Sequence, residues 1–233
     1  MVAEQKISPH LIQDTLSNLD VNALGIANLT DWKGTKLEET ALALLPGARS
    51  VVVFAMEISP EILGLTSSGR QTGAASLNDL LVSDAGYIYG RLTKAAYDLA
   101  SASRKLGLRA LPLPATGCPV DTRFLQAVFS YKHAGQAAGL GKLGWSSLLI
   151  TPAFGPRIRL SACLTEADLE STLPVELDLA CESCSICLES CPAGALAKPR
   201  SGEQYHINKF ACSAYRTASG SCTECMRVCP AGE

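Results

Sequence analysis

Eight cysteines crowd between Cys181 and Cys229, and no other feature restricts the fold of this chain as strongly. The chain has 233 residues and ten cysteines; the other two, Cys118 and Cys163, stand alone. The N-terminal stretch MVAEQKISPHLIQDTLSNLD is charged from Glu4 onward and carries an apolar stripe at Leu11, Ile12, Leu16 and Leu19. That is the pattern of an amphipathic helix, not of a signal peptide or twin-arginine leader. No stretch approaches the roughly 18 apolar residues of a membrane span. The expectation is a cytoplasmic protein without a membrane partner. In a reducing compartment, thiols in this number serve metal or redox chemistry rather than disulfides. Hydrophobic content of 47% against 18% charge is that of a folded globular chain. A net charge of −2 gives no charge-driven attraction to a polyanion.

The cysteine spacings are specific. The first motif is Cys181-x2-Cys184-x2-Cys187-x3-Cys191-Pro192; the second is Cys222-x2-Cys225-x3-Cys229-Pro230, with Cys212 ten residues upstream. C-x2-C-x2-C-x3-C-P is the bacterial ferredoxin run, in which three cysteines hold one 4Fe–4S cluster and the fourth ligates the other. Applied here, that crossover assigns Cys181, Cys184, Cys187 and Cys229 to one cluster. Cys191, Cys212, Cys222 and Cys225 go to the second, with no cysteine of the module left over. Paired C-x2-C zinc knuckles would not require the longer run. Two 4Fe–4S clusters are therefore expected, and with them electron transfer.

Upstream, apolar runs alternate with helical patterns. Strands are predicted at 23–29, 50–57 and 108–115, and a helix at 36–45. A long helix runs through Ile88, Leu92, Ala95, Leu99, Ala102 and Leu106 to Gly107. Residues 64–73 read as a flexible or ligand-covering loop. The spacing of Phe124, Val128, Tyr131, Ala134 and Ala138 predicts one helix over 121–138. WSSLLIT and IRLSACLT, joined by PAFGPR, read as a hairpin. EADLESTLPVELD, with five acids and no base, reads as a solvated linker. The chain divides into residues 1–172 and 173–233.

Within AAGLGKLGWSSLL, Gly139, Gly141 and Gly144 have the spacing G-x-G-x-x-G. The dinucleotide fingerprint needs a strand before these glycines and a helix after. Here the order is reversed, so no helix N-terminus is offered to a phosphate. A tight turn needing positive φ explains the glycines on its own.

The segment VDTRFLQAVFSYKHAGQAAGLGKLGWSSLLITPAFGPRIRLSACLTEADL, followed by the cysteine module, resembles the epoxyqueuosine reductases and their relatives, the reductive dehalogenases. The resemblance implies an α/β (α+β) nitroreductase-like cobalamin-binding domain followed by a small ferredoxin-like domain with two 4Fe–4S clusters. Gly139, Gly141, Lys142, Gly144, Trp145, Ser146, Ser147 and Leu148 would line the corrinoid, the glycines letting backbone approach it and the serines offering hydrogen bonds. Asp121 matches the family's proton donor, a role served by a raised pKa; it also stands where a helix N-cap would. Lys132 and His133, on the same predicted helix, would contact cofactor phosphate or substrate, or simply be solvated. No histidine lies in D-x-H-x-x-G, so base-off cobalamin without a protein cobalt ligand is expected, and Cys118 and Cys163 read as core residues. The implied activity is a reductase in which the clusters take cob(II)alamin to cob(I)alamin for reductive C–O or C–halogen cleavage. It would draw on a low-potential donor of ferredoxin or flavodoxin type. An electron-transfer protein serving a partner's corrinoid is the alternative, and a flavin-bound variant of the fold a third. The chain ends four residues after Cys229, and residues 179–233 carry five basic and five acidic side chains. A helical-repeat extension and a basic stripe are thus not expected, and tRNA is not the expected partner.

Overall fold

The β-branched run at 50–57 organises the molecule. A computed structural model describes residues 10–66, 74–116 and 118–232. In it α1 (Leu11–Ser17), β1 (Ala23–Asn28), α2 (Lys36–Leu44) and β2 (Ser50–Glu57) lead to the short α3 (Pro60–Leu65) and the long α4 (Ala74–Lys105). Next come β3 (Ala110–Leu113), a ribbon of β4 (Val120–Asp121) and β5 (Gln126–Ala127), and α5 (Tyr131–Ala137). A second ribbon of β6 (Lys142–Leu143) and β7 (Leu149–Ile150) precedes β8 (Ile158–Thr165). The main sheet has the order β1-β2-β8-β3 and every pairing is antiparallel, with Ile26 opposite Val52, Val53 opposite Ala162, and Pro112 opposite Cys163. Pro112 cannot donate to a ladder, which suits β3 to the sheet edge.

Strand β2 is buried on both faces because its side chains alternate between two cores. Val52, Phe54 and Met56 pack in one core with Ile88, Leu92 and Leu99 of α4. Val51, Val53 and Ala55 pack in the other with Ala134, Ala137 and Ala138 at α5 and Ala41 of α2. Each fully buried Val or Phe contributes about 1.5–3 kcal/mol, so the SVVVFAM run ties both helical layers to one strand. Cys163 is fully buried in the first core, as expected of a small apolar residue, while Cys118 packs against the second. Among the described residues no helix is long and apolar enough to cross a membrane.

Three expectations are corrected. The helix over 121–138 is restricted to α5; Asp121–Arg123 forms a turn instead, and Phe124 and Val128 are 60% and 44% exposed. Their helical spacing marked an exposed patch, not a buried stripe. The predicted hairpin does not form, because β8 pairs with β2 and β3 while β7 pairs with β6. The acidic run is not simply solvated. Glu166 pairs with Arg109 at 2.6 Å, Asp168 pairs with Arg49, and Leu169 is buried. Thr172 N–H donates to the Ile26 carbonyl at 2.9 Å, and the Ile26 and Asn28 N–H groups donate to Thr172 Oγ1 and Ser171 Oγ. These bonds cover the outer edge of β1. Of the 64–73 loop, residues 67–73 lie outside the described residues.

Candidate functional site

The glycine loop leads from α5 into the β6–β7 ribbon. Gly139 has φ +76, and a Cβ there would stand 2.6 Å from the Leu173 carbonyl oxygen. At Gly141 it would stand 2.0 Å from the Ile150 oxygen; at Gly144, 2.3 Å from Ile150 Cδ1 and 3.6 Å from Cys181 Sγ. The room these glycines make is filled by the protein's own chain. The close approach at Gly144 sets the loop against Cys181. The turn is closed by Gly144 N–H to the Leu148 carbonyl at 3.0 Å, with Ser147 at φ +63.

Two cavities flank this turn. The larger, 560 Å³, is lined by Trp32, Gln136, Gly141, Lys142, Leu143, Trp145 and Cys181, among others. Its volume falls in the range of cofactor sites, about 300–1,000 Å³. The smaller, 280 Å³, is lined by Ser146, Ser147 and Leu148 together with Cys191, Cys212, Cys222 and Cys225. The stretch expected to line a single corrinoid site is thus divided. Gly141, Lys142 and Trp145 face one cavity, and Ser146 to Leu148 face the thiols.

The module is built of short elements: α6 (Cys181–Cys184), α7 (Ile186–Glu189), β9 (Leu196–Ala197), β10 (His206–Ile207), α8 (Lys209–Ala218) and α9 (Glu224–Arg227). The helices carry Cys181, Cys184, Cys187, Cys212 and Cys225, and the connecting segments carry Cys191, Cys222 and Cys229. Ser185 at φ +46 separates α6 from α7, and Asn208 caps α8 by accepting from Ala211 N–H at 3.1 Å. Burial, and then the neighbouring Cys181, Cys229 and Cys184, push the Cys187 thiol up to about 11. Burial, and then Cys222, Cys212, Cys187 and Cys191, push Cys225 up to about 12. So Cys229, distant in sequence, lies within electrostatic reach of the first motif, and Cys191 within reach of the second. Cys187 and Cys225 connect the two groups. The Ala195 N–H donates to Cys191 Sγ at 3.4 Å. Among the described residues, no group of three His, Cys, Asp or Glu could hold a single metal ion. A cubane binds each thiolate at a different iron, and so takes ligands spread more widely than one ion does.

Arg157, which the sequence reading passed over, docks the C-terminal segment. It is 7% exposed and donates to the carbonyls of Cys229 at 3.1 Å, Ala231 at 3.1 Å and Gly232 at 2.7 Å. Its only sequence signal was a basic residue beside an apolar strand.

Asp121 lines neither cavity. It sits in the β4–β5 ribbon, so the helix-cap alternative fails; Ser130 is the residue that precedes α5. Its Oδ1 accepts from the Arg123 N–H at 3.0 Å and its Oδ2 from Arg123 Nη2 at 2.8 Å. The guanidinium holds the carboxyl below the ordinary aspartate value, opposite to the raised value expected. Lys132 is not simply solvated. It donates to the Ser147 carbonyl at 2.8 Å beneath the Tyr205 ring, and burial brings its pKa down to about 8. His133 is bonded to Ser130 Oγ and the Tyr205 hydroxyl.

No family model matches the chain. It is 29% identical to a tetrachloroethene reductive dehalogenase of Desulfitobacterium hafniense, covering 78% of this chain and 32% of that protein. It is also 29% identical to the epoxyqueuosine reductase of Gloeobacter violaceus, covering 87% of this chain and 56% of that protein. The chain therefore spans from a third to just over half of these relatives. In fold it matches a catabolic reductive dehalogenase (TM-score 0.71, 21% identity, 95% of this chain and 31% of that one). A reductive dehalogenase structure reported to suggest a mechanism for B12-dependent dehalogenation matches at TM-score 0.69 and 21% identity, over 94% of this chain and 31% of that one. An epoxyqueuosine reductase from Bacillus subtilis, with an aspartate catalytic loop swung out of its active site, matches at TM-score 0.56 and 19% identity, over 96% of this chain and 64% of that one. In sequence and in fold, the chain is similar to the reductive dehalogenases and the epoxyqueuosine reductases.

Proposed function

We propose that the chain is a cobalamin-dependent iron–sulfur reductase acting on a C–O or C–halogen bond. The observation that carries this reading is the grouping of the eight cysteines. Cys191, Cys212, Cys222 and Cys225 surround one cavity, and Cys229 joins Cys181, Cys184 and Cys187. The donor chemistry suits two cubanes: thiolates on short helices and the segments between them, a backbone N–H on Cys191, and the loop carrying Gly144 against Cys181.

The 560 Å³ cavity is the candidate corrinoid site. Two tryptophans and several aliphatic side chains form its apolar walls, and Gln136, Lys142, Asp178, Glu182 and Gln204 are its polar groups. Cobalamin supplies, when reduced, a low-potential nucleophile for the substrate carbon. Trp32 and Trp145 would shield the site from water, and Lys142, Gln136 and Gln204 would hold polar substituents. Cys181 lines the same cavity, which brings the first cluster to its wall. Asp121 would deliver the leaving group's proton once released from Arg123, after taking that proton up from solvent. Electrons would come from a ferredoxin- or flavodoxin-type donor, and a small molecule would be the substrate.

One observation favours a second reading. Asp121 stands outside both cavities with its charge satisfied by Arg123, as it would in an electron carrier that needs no acid. Titrating the anaerobically reconstituted protein with a low-potential reductant separates the two. A reductase binds cobalamin base-off and converts it to the cob(I) spectrum in step with the clusters. A carrier shows the cluster changes alone.

A further inference from the structure

Two buried donors in the smaller cavity lack acceptors. Ser146 is 4% exposed, and its Oγ has no hydrogen-bond partner. Arg159 Nε is likewise buried without one, while the guanidinium carbon lies 5.8 Å from the Tyr89 ring centroid. Both residues line the cavity around Cys191, Cys212, Cys222 and Cys225. Buried donors are rarely left unpaired, and each exception calls for an acceptor the protein itself does not supply. The one carboxylate on that wall, Glu224, is engaged by Arg227 at 2.6 Å. Four thiols face the same space, and thiolate and sulfide sulfur can accept from these donors.

We propose that Ser146 and Arg159 donate to the sulfur atoms of the cluster held by Cys191, Cys212, Cys222 and Cys225, and so raise its reduction potential. This rests on the cluster reading above. Reduction adds negative charge to the cubane, so a donor or cation facing it favours the reduced form. Ser146 is adjacent to Ser147, whose positive φ and bond to Lys132 hold the turn that presents it. Neither residue is a ligand. They act through the cluster, so the informative readout is a potential rather than turnover.

The experiment is a redox titration of the anaerobically reconstituted full chain, followed by electron paramagnetic resonance. A Cys191→Ser sample identifies which signal belongs to this cluster. Ser146→Ala and Arg159→Gln should each lower its reduced-to-oxidised ratio about tenfold at fixed poise, about 59 mV for a one-electron couple. The other cluster should not move, and Ser146→Thr, which keeps the hydroxyl, should titrate like the parent. If both variants hold about eight irons and titrate unchanged, the assignment of these donors is wrong. A parent protein that takes up only about four irons removes the cluster reading itself, and the iron count reveals this before any titration.

Discussion

Replacing Arg157 with methionine keeps most of the side-chain volume and removes three charge-assisted bonds to the carbonyls of Cys229, Ala231 and Gly232. Bonds to a charged donor contribute about 1.5–3 kcal/mol each when counted singly. They do not add fully, because the freed segment regains water and chain entropy. A net loss of about 3–5 kcal/mol is expected, comparable to breaking a buried ionic contact. For a chain of this size that lowers the unfolding midpoint by about 6–20 °C, measurable by circular dichroism on the apo protein. The loss should also be local. In the proposed assignment Cys229 crosses to Cys181, Cys184 and Cys187, so reconstituted Arg157→Met should lose that cluster, its iron falling from about eight to about four. Arg157→Lys, with charge but a single amine, should fall between. An Arg157→Met protein with the parent's midpoint and full iron would refute the view that this residue docks the C-terminal segment.

Cys191→Ser should abolish the electron paramagnetic resonance signal of the cluster shared with Cys212, Cys222 and Cys225 and spare the one formed by its sequence neighbours; loss of the neighbours' cluster would break the crossed assignment. Asp121→Asn should leave cluster content and cobalamin binding unchanged while turnover of a verified substrate falls about 10²–10⁴-fold. Arg123→Met should raise the Asp121 carboxyl in an NMR titration, since the Arg123 bonds hold it down. Lys132 has a folded pKa of about 8 against an ordinary 10.5, so between these values the unfolded chain binds the proton and the folded chain does not. Its burial penalty is full below pH 8 and is relieved as pH rises to 10.5, by about 3 kcal/mol in total. Lys132→Met should remove that rise from the difference between the two stability curves, measured by urea denaturation.

What could be read from the sequence depended on range. The strand at 50–57, the end of the long helix before Gly107 and the cysteine spacings all follow from local pattern, and the structure has the strand and the helix end there. The segment 121–138 misled because Phe124 and Val128 sit at helical spacing yet face solvent, while the Asp121–Arg123 turn and Leu125 at φ +46 break the chain. Nothing near β8 in sequence says that it pairs with β2 and β3 instead of β7. The acidic run looked solvated because its partners, Arg49, Arg109 and Asn28, lie more than fifty residues away. Arg157 and Arg159 were equally hidden, and Ser146 was singled out only as a corrinoid contact, not for the thiols it faces. A serine or arginine has no periodicity to betray it, and its role depends on which orphaned atoms the fold brings to it.

A reductase of the proposed kind carries both clusters and a corrinoid on one chain. Metal analysis after anaerobic reconstitution with iron, sulfide and hydroxocobalamin, with unbound material removed by gel filtration, tests it most directly. About eight irons and about one cobalt per chain are expected. Iron at that level with no retained cobalt would contradict the reductase and leave an electron carrier, and zinc in place of iron would contradict the clusters themselves.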